Sequence, residues 1–400
     1  MNRSPDLKTF FLSSGEASGD TYGALLIDAL TQLSPGARFF GMGGDKMQAA
    51  GCELLVHAKN VAVVGLVEVV KHLPDIRRQF RRLVDEAAKR RPDAAILIDF
   101  PDFNLRLARE LDRLETPVYY FVSPQIWAWR TGRVKHIQRY VRKMIVIFPF
   151  EQEFYRRHGV DVSYVGHPLA HAAASDVSRE DFAAENGLNT AKQWIALLPG
   201  SRPKEVLLNL PEMLLAAQIL DGQQAGYEFV LPVATTLDEQ WLQSKLADVH
   251  NIRLTGDARG ALKHSRAAVV ASGTATVEAA LAGTPFVVVY RLARLTWLLG
   301  RRLVSLDTFA MPNLIAGRRI VPELIQRDLT AANIVHELSA IIPDGPRRRQ
   351  VLRDLAEIRE KLRDGSNREP PALCAARQIL GLIARSGDPA ISELPKPPEN

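Results

Sequence analysis

The chain has 400 residues, enough at about 100 to 200 residues per domain for two or three domains with real cores. Hydrophobic residues at 46% and charged residues at 24% exclude wholesale disorder and a fibrous protein, and the two cysteines, Cys52 and Cys374, fit neither a metal spacing nor a dense disulfide framework. A net charge of +6 allows an acidic partner, but no zinc-finger spacing or RNP-type aromatic motif accompanies the basic residues, so a nucleic-acid partner is not expected.

Along the chain, short apolar runs alternate with helical patterns, which predicts parallel βαβ units in both halves. TFFLS opens the series, and its run Phe10 to Leu12 is too short for a signal-peptide core, so a cytoplasmic protein is expected. The loop after it, SSGEASGD, holds Gly15, Glu16, Ser18, Gly19 and Asp20 before the helix YGALLIDAL. Asp20 or Ser18 is suited to cap that helix, whereas Glu16, between Gly15 and Ala17, has no regular position to fill. GMGGDKM is a poor dinucleotide fingerprint, because it does not open a first βα unit, and no Walker A sequence occurs.

The apolar run Val61 to Val70, with Val64, Leu66, Val67, Val69, Val70 and then Leu73, precedes an arginine-rich helix. Apolar residues beside cations are what contact with a membrane surface requires. The bland reading, a buried stripe with a solvated basic face, covers Ile76, Phe80, Leu83 and Val84 well and the earlier run less well. RLARLTWLLGRRLV is a second stretch of this kind.

AAILI, the next strand, ends at Asp99, with Asp102 on the turn after Pro101. A carboxylate at the C-terminal end of a parallel strand faces the crevice where ligands bind and is a usable general base, while Asp102 is placed to cap the following helix. D-x-x-D without a nearby histidine is a poor template for a divalent cation, so neither metal nor cofactor is expected. After the strand VYYFV, SPQIWAWRTGR joins Trp127 and Trp129 to Arg130 and Arg133. Such indoles are usually core anchors, or else they line a pocket that receives a phosphate. His136 reads as a helix-face residue, and His167 sits in YVGHP just before a small, polar linker.

The second half opens with WIALLPGSRPKEV, a strand running into Gly200, Ser201 and Arg202, where a guanidinium fork and backbone N–H groups suit a diphosphate. EFVLPV, IRLTG, AAVVA and FVVVY follow. Between the last two, SGTATVEAALAGTP places Ser272, Gly273 and Thr274 at the start of a helix, an anion cradle, with Glu278 one turn on and able to accept from a vicinal diol; tight helix packing with an exposed Glu278 is the competing reading. The stretch Ala267 to Tyr290 is long enough to span a bilayer, but its polar residues, Glu278 among them, fit a strand, helix and strand better. The predicted divisions are an N-terminal domain over 1–170, a second over 171–345, C-terminal helices over 346–385 and a disordered tail over 386–400.

Taken in order, SSGEASGD, GMGGDKM, DFPDFN, SPQIWAWR, YVGHPL, LLPGSRPKE, SGTATVEAALAGTP, MPNLIAG and VPELIQ resemble the lipid-A-disaccharide synthases across about positions 9 to 326. His171 stands where members of that family often carry an acid. The resemblance implies an α/β protein of glycosyltransferase B type, two Rossmann-like doubly wound domains facing across a cleft, with the C-terminal helices packing back on the first. It implies an inverting transfer of 2,3-diacylglucosamine from UDP-2,3-diacylglucosamine to 2,3-diacylglucosamine 1-phosphate, at the cytoplasmic face of the inner membrane of a Gram-negative bacterium, and it is compatible with a homodimer.

It further implies Asp99 as general base, with Glu16 and Asn313 also important for activity. Gly200, Ser201, Arg202, Ser272, Gly273, Thr274 and Glu278 would lie on the UDP-sugar side, and Gly15, Ser18, Gly19, Trp127 and Arg130 on the acceptor side. For Asn313 the competing reading is a loop amide that braces its own backbone. A UDP-N-acetylglucosamine transferase or epimerase of the same fold, or a non-catalytic nucleotide-sugar or nucleic-acid binder, are the alternatives.

Overall fold

The computed structural model describes residues 7–61, 66–129, 131–170, 176–223, 226–246, 251–292, 308–363 and 369–386. Val64, Arg130, His171 and most of 291–304 lie outside them, as do the side chains of Leu66, Val67, Val69, Val70 and Trp129. The chain forms two compact units, 1–168 with 364–400, and 169–363.

In the first unit, β1 (Thr9–Ser14), α1 (Ala17–Leu33), β2 (Arg38–Gly43), α2 (Asp45–Ala49), β3 (Cys52–His57) and α3 (Leu66–Arg90) lead to β4 (Ala94–Ile98) and α4 (Pro101–Arg113). Then come β5 (Val118–Phe121), α5 (Ile126–Trp129), α6 (Val134–Tyr140), β6 (Lys143–Val146), α7 (Pro149–Arg157) and β7 (Val162–Tyr164). The sheet order is β3-β2-β1-β4-β5-β6-β7 with every pairing parallel. Strands covered by helices on both faces must be apolar almost throughout, and AAILI of β4 is buried at all five positions. Ile76, Phe80, Leu83 and Val84 of α3 join the core under this sheet, while Arg77, Arg78, Arg81 and Arg82 stay exposed.

The second unit repeats the plan with β8 (Gln193–Leu198) after α8 (Arg179–Asn186), then α9 (Pro203–Gln223), β9 (Tyr227–Pro232), α10 (Glu239–Gln243), β10 (Ile252–Thr255) and α11 (Ala258–His264). It continues with β11 (Ala267–Ala271), α12 (Thr274–Ala282), β12 (Phe286–Tyr290), α13 (Met311–Ala316), β13 (Glu323–Ile325), α14 (Ala331–Ile341) and α15 (Pro346–Arg363). Its sheet order is β10-β9-β8-β11-β12-β13, again parallel. The run Ala267 to Tyr290 is thus a strand, a helix and a strand, and among the described residues no helix is long and apolar enough to cross a membrane.

The two helices of 346–385 divide. α15 packs on α12, α13 and α14 of the second unit, burying Val351, Leu355, Ile358 and Leu362 along one stripe and tying Asp354 to Arg318 at 3.1 Å. Only α16 (Pro371–Ser386) lies on α1, through the small residues Ala372, Ala375 and Ala376 with Ile379.

Candidate functional site

A doubly wound sheet opens a crevice at the carboxyl ends of the two strands where its order reverses. In the first unit these are β1 and β4, in register from Phe10 and Ala94 to Ser14 and Ile98. Gly15 and Glu16 therefore leave one strand beside Asp99 and Phe100 leaving the other. The two loops touch so closely that a Cβ on Gly15 would lie 2.3 Å from the Phe100 ring. Glu16 is the N-cap residue of α1, half-buried, its carbonyl accepting from the Asp20 N–H at 2.8 Å. Ser18 is half-buried in the first turn, and Gly19 packs against the Ser14 hydroxyl.

The capping roles predicted for Asp20 and Asp102 are not the ones they fill. Asp20 points away from the start of its own helix and accepts from the N–H groups of Gly44 (2.7 Å), Lys46 (3.0 Å) and Met47 (3.1 Å), serving the N-terminus of α2. Asp102 pairs with the Arg133 guanidinium, and Phe100 occupies the N-cap of α4 with no side-chain hydrogen bond.

Asp99 and Phe100 both adopt the left-handed region, with φ of 46° and 51°, and Val122 at the end of β5 has φ of 63°. Three such residues that are not glycine, gathered at neighbouring strand ends, store strain that persists only when the surroundings over-determine it. Asn104 supplies that constraint. Fully buried in α4, it donates to the carbonyls of Ser13 (3.1 Å), Ile98 (3.1 Å) and Asp99 (2.9 Å) and accepts from the Ser13 hydroxyl at 2.6 Å. The Tyr120 hydroxyl adds a second donor to the Asp99 carbonyl at 2.5 Å, and the Asp99 N–H bonds to Val122 at 3.2 Å.

Trp127 reaches Glu151, a residue the sequence reading passes over. The indole N–H donates to one carboxylate oxygen at 3.2 Å, the Phe148 N–H donates to the other at 3.2 Å, and the indole packs edge-on against Phe150. Glu151 is buried, and burial pushes its pKa up to about 8, with the charge of Asp99 adding to the shift. His167 is buried beside Tyr22 and Phe148, and burial holds its pKa down at about 3, so it is neutral. His136 bonds the Leu105 carbonyl at 2.6 Å, as a helix-face residue does.

In the second unit the order reverses between β8 and β11, and both glycine-bearing loops arise there. Gly200 has φ of +127° and Gly273 of +148°, conformations that an L side chain rarely adopts. Gly273 is the N-cap of α12 with no side chain capping it, and Gly273 and Thr274 are exposed, so the first N–H groups of α12 face outward beside the half-buried Ser272. Glu278 lies one turn on from Thr274, half-buried. Arg202 immediately precedes α9 and pairs with Glu205 at 3.0 Å. A buried asparagine again ties helix to loop: Asn209 donates to the Pro199 carbonyl at 3.0 Å and accepts from the Arg291 N–H at 3.1 Å.

Asn313 has no hydrogen-bonding atom left over. Its amide nitrogen donates to the Val321 carbonyl (3.0 Å) and to Glu323 (2.7 Å), and its oxygen accepts from the N–H groups of Ile320 (2.7 Å) and Val321 (3.0 Å), all in a fully buried position. Glu323 accepts in turn from Phe309 (2.9 Å) and Ala310 (3.1 Å), and the Phe309 carbonyl lies 3.4 Å from the Ser272 hydroxyl. Asn313 thus braces the segment beside the α12 cradle, and direct contact with a donor would require it to give up one of these bonds. Among the described residues no group of three or more His, Cys, Asp or Glu side chains gathers as metal ligands do.

A family model described as lipid-A-disaccharide synthetase matches residues 10–376. The lipid-A-disaccharide synthase of Koribacter versatilis is 54% identical over 94% of this chain and 98% of its own, and that of Acidobacterium capsulatum is 52% identical over 90% and 93%. Among solved structures, the glycosyltransferase of kitacinnamycin superposes with a TM-score of 0.65 at 16% identity, covering 94% of this chain and 99% of its own. UDP-GlcNAc 2-epimerase from Neisseria meningitidis, bound to UDP-GlcNAc, gives 0.59 at 13%, covering 95% and 100%. At such identities these structures establish the fold alone, two Rossmann-like units of glycosyltransferase B type. With the family model spanning nearly the whole chain and relatives more than half identical to it covered over more than nine-tenths of their length, the chain belongs to the lipid-A-disaccharide synthase family.

Proposed function

We propose that this glycosyltransferase of lipid A disaccharide synthesis moves 2,3-diacylglucosamine from UDP-2,3-diacylglucosamine to the 6-hydroxyl of 2,3-diacylglucosamine 1-phosphate, with inversion, releasing UDP. The observation that carries the reading is positional: Glu16 and Asp99 share the switch point of one sheet, and Arg202 and Thr274 share that of the other.

In this mechanism the Asp99 carboxylate takes the proton of the acceptor hydroxyl as its oxygen attacks the anomeric carbon and the bond to the diphosphate breaks. A base of this kind is worth about a hundred- to ten-thousand-fold in rate. Arg202, the N–H groups around Gly200 and Ser201, and the start of α12 at Ser272, Gly273 and Thr274 receive the charge that develops on UDP; one such donor contributes about 3 to 4 kcal/mol. Glu278 accepts from the ribose hydroxyls. Glu16, Ser18, Trp127 and Arg130 serve the acceptor, Gly15 and Gly19 let α1 pack against Phe100 and Ser14 on the acceptor side, and Asn313 acts through the segment it braces. No step calls on a metal. Val64, Leu66, Val67, Val69, Val70 and Leu73 meet the inner-membrane lipids that hold both acylated substrates.

Purified wild type and Asp99→Asn, incubated with both acylated substrates with and without EDTA and analysed by mass spectrometry, test this. Asparagine tolerates the left-handed backbone. Wild type is expected to form the disaccharide 1-phosphate equally in both conditions, and the variant about a hundredfold or more slowly, with UDP still raising its Tm. Full activity in the variant removes Asp99 from the chemistry; epimerisation of UDP-N-acetylglucosamine without disaccharide would move the chain to the epimerase reading.

A further inference from the structure

The loop that suits an incoming anion already holds one of the chain's own. Glu205 lies in the first turn of α9, and its carboxylate folds back over the loop before it. One oxygen accepts from the Ser201 N–H at 3.3 Å and the other from the Arg202 guanidinium at 3.0 Å. A Cβ on Gly200 would lie 2.7 Å from that first oxygen and 2.8 Å from the Glu205 Cβ, so the glutamate fills the concavity that the bare backbone leaves. Its charge is felt at the end of β12, where it adds to burial in raising the pKa of the Tyr290 hydroxyl.

We propose that Glu205 is an internal counter-anion of the diphosphate loop: it holds the Ser201 and Arg202 donors while the loop is empty, swings out as a nucleoside diphosphate enters, and repels the product more than the donor. The proposal rests on the reading of this loop as the UDP-sugar site. The donor's β-phosphate is esterified to the sugar. When that bond breaks, the electron pair stays on the phosphate oxygen and UDP carries one more negative charge than the diphosphate did in the donor. Displaced from its donors but tethered to the first turn of α9, the Glu205 carboxylate stays near the loop, and so disfavours bound UDP relative to bound donor and hastens release.

A carboxylate three residues after Arg202 is also what a helix-capping arrangement uses, and glutamine fills that role equally well. Glu205→Gln separates the two roles. Titration calorimetry with UDP is expected to show binding about tenfold tighter than wild type, with a smaller change in donor KM, a lower kcat, stronger product inhibition and an unchanged Tm without ligand. Unchanged or weaker UDP binding in the variant overturns the proposal. If wild type binds no UDP at all, it is the reading of the loop that fails instead. A wild-type crystal soaked with UDP provides a second check: the carboxylate should have left Ser201 and Arg202, and diphosphate bound at this loop with Glu205 still in place would sink the idea.

Discussion

Asp99 is legible in the sequence as an acid ending an apolar strand, but its left-handed backbone is not, because the strain is imposed by Asn104 and Tyr120 from α4 and β5. Glu151 is less legible still. In PFEQEFYRR it reads as one of two acids on a polar helix, and only the packing of α7 beneath Trp127 takes it out of water. Its pKa of about 8 lies above the ordinary value of 4.5, so between those limits the folded state binds more proton than the unfolded state and stability falls as pH rises. Glu151→Gln removes that slope. Melting curves from pH 5 to 8 should show the variant gaining on wild type steadily across the window, by on the order of a few kcal/mol at the top, whatever constant offset comes from a lost hydrogen bond. Parallel curves would mean that Glu151 does not titrate there.

Among the elements, the strands were the most readable part. Two-sided burial in a parallel sheet demands short, nearly unbroken apolar runs, and AAILI, AAVVA and FVVVY are such runs. Caps were less readable, because a side chain near a helix start has other partners available once the fold closes, as Asp20 and Asp102 show. Asn313, expected on a loop, lies in the short helix α13 and shows the same limit. MPNLIAG identifies the residue, but the burial of its amide against Val321 and Glu323 is a tertiary fact. Asn313→Asp tests its bracing role: a carboxylate cannot donate to Val321 or Glu323 and sets two acids together in a buried place. The expected loss is about 3 kcal/mol or more, with Tm falling and donor KM rising together. Lost turnover at an unchanged Tm would instead indicate direct contact with the donor.

For the whole molecule, the +6 charge permits an anionic partner without choosing one. The distribution is more telling, since α3 turns Ile76, Phe80 and Leu83 into the core and leaves Arg77, Arg78, Arg81 and Arg82 exposed. Cations on that face, following the apolar run that ends near Leu73, fit attraction to anionic headgroups beside hydrophobic contact. Replacing Val64, Leu66, Val67 and Val69 together by serine should lower co-sedimentation with vesicles containing anionic lipid several-fold while the melting temperature holds. Equal partitioning of variant and wild type would remove this segment from membrane contact.

The amino-acid order alone determined the two α/β halves, the loops that follow their strands and the acids and glycines on those loops, because periodicity and turn chemistry are local properties. Only the folded chain decided which loops became neighbours. Strand order places β4 beside β1 and β11 beside β8, bringing together residues more than seventy positions apart. It also decided that Asn104, Glu151, Asn209 and Glu323 support or tune these sites, since a polar side chain acquires such a role from the partners that burial leaves it.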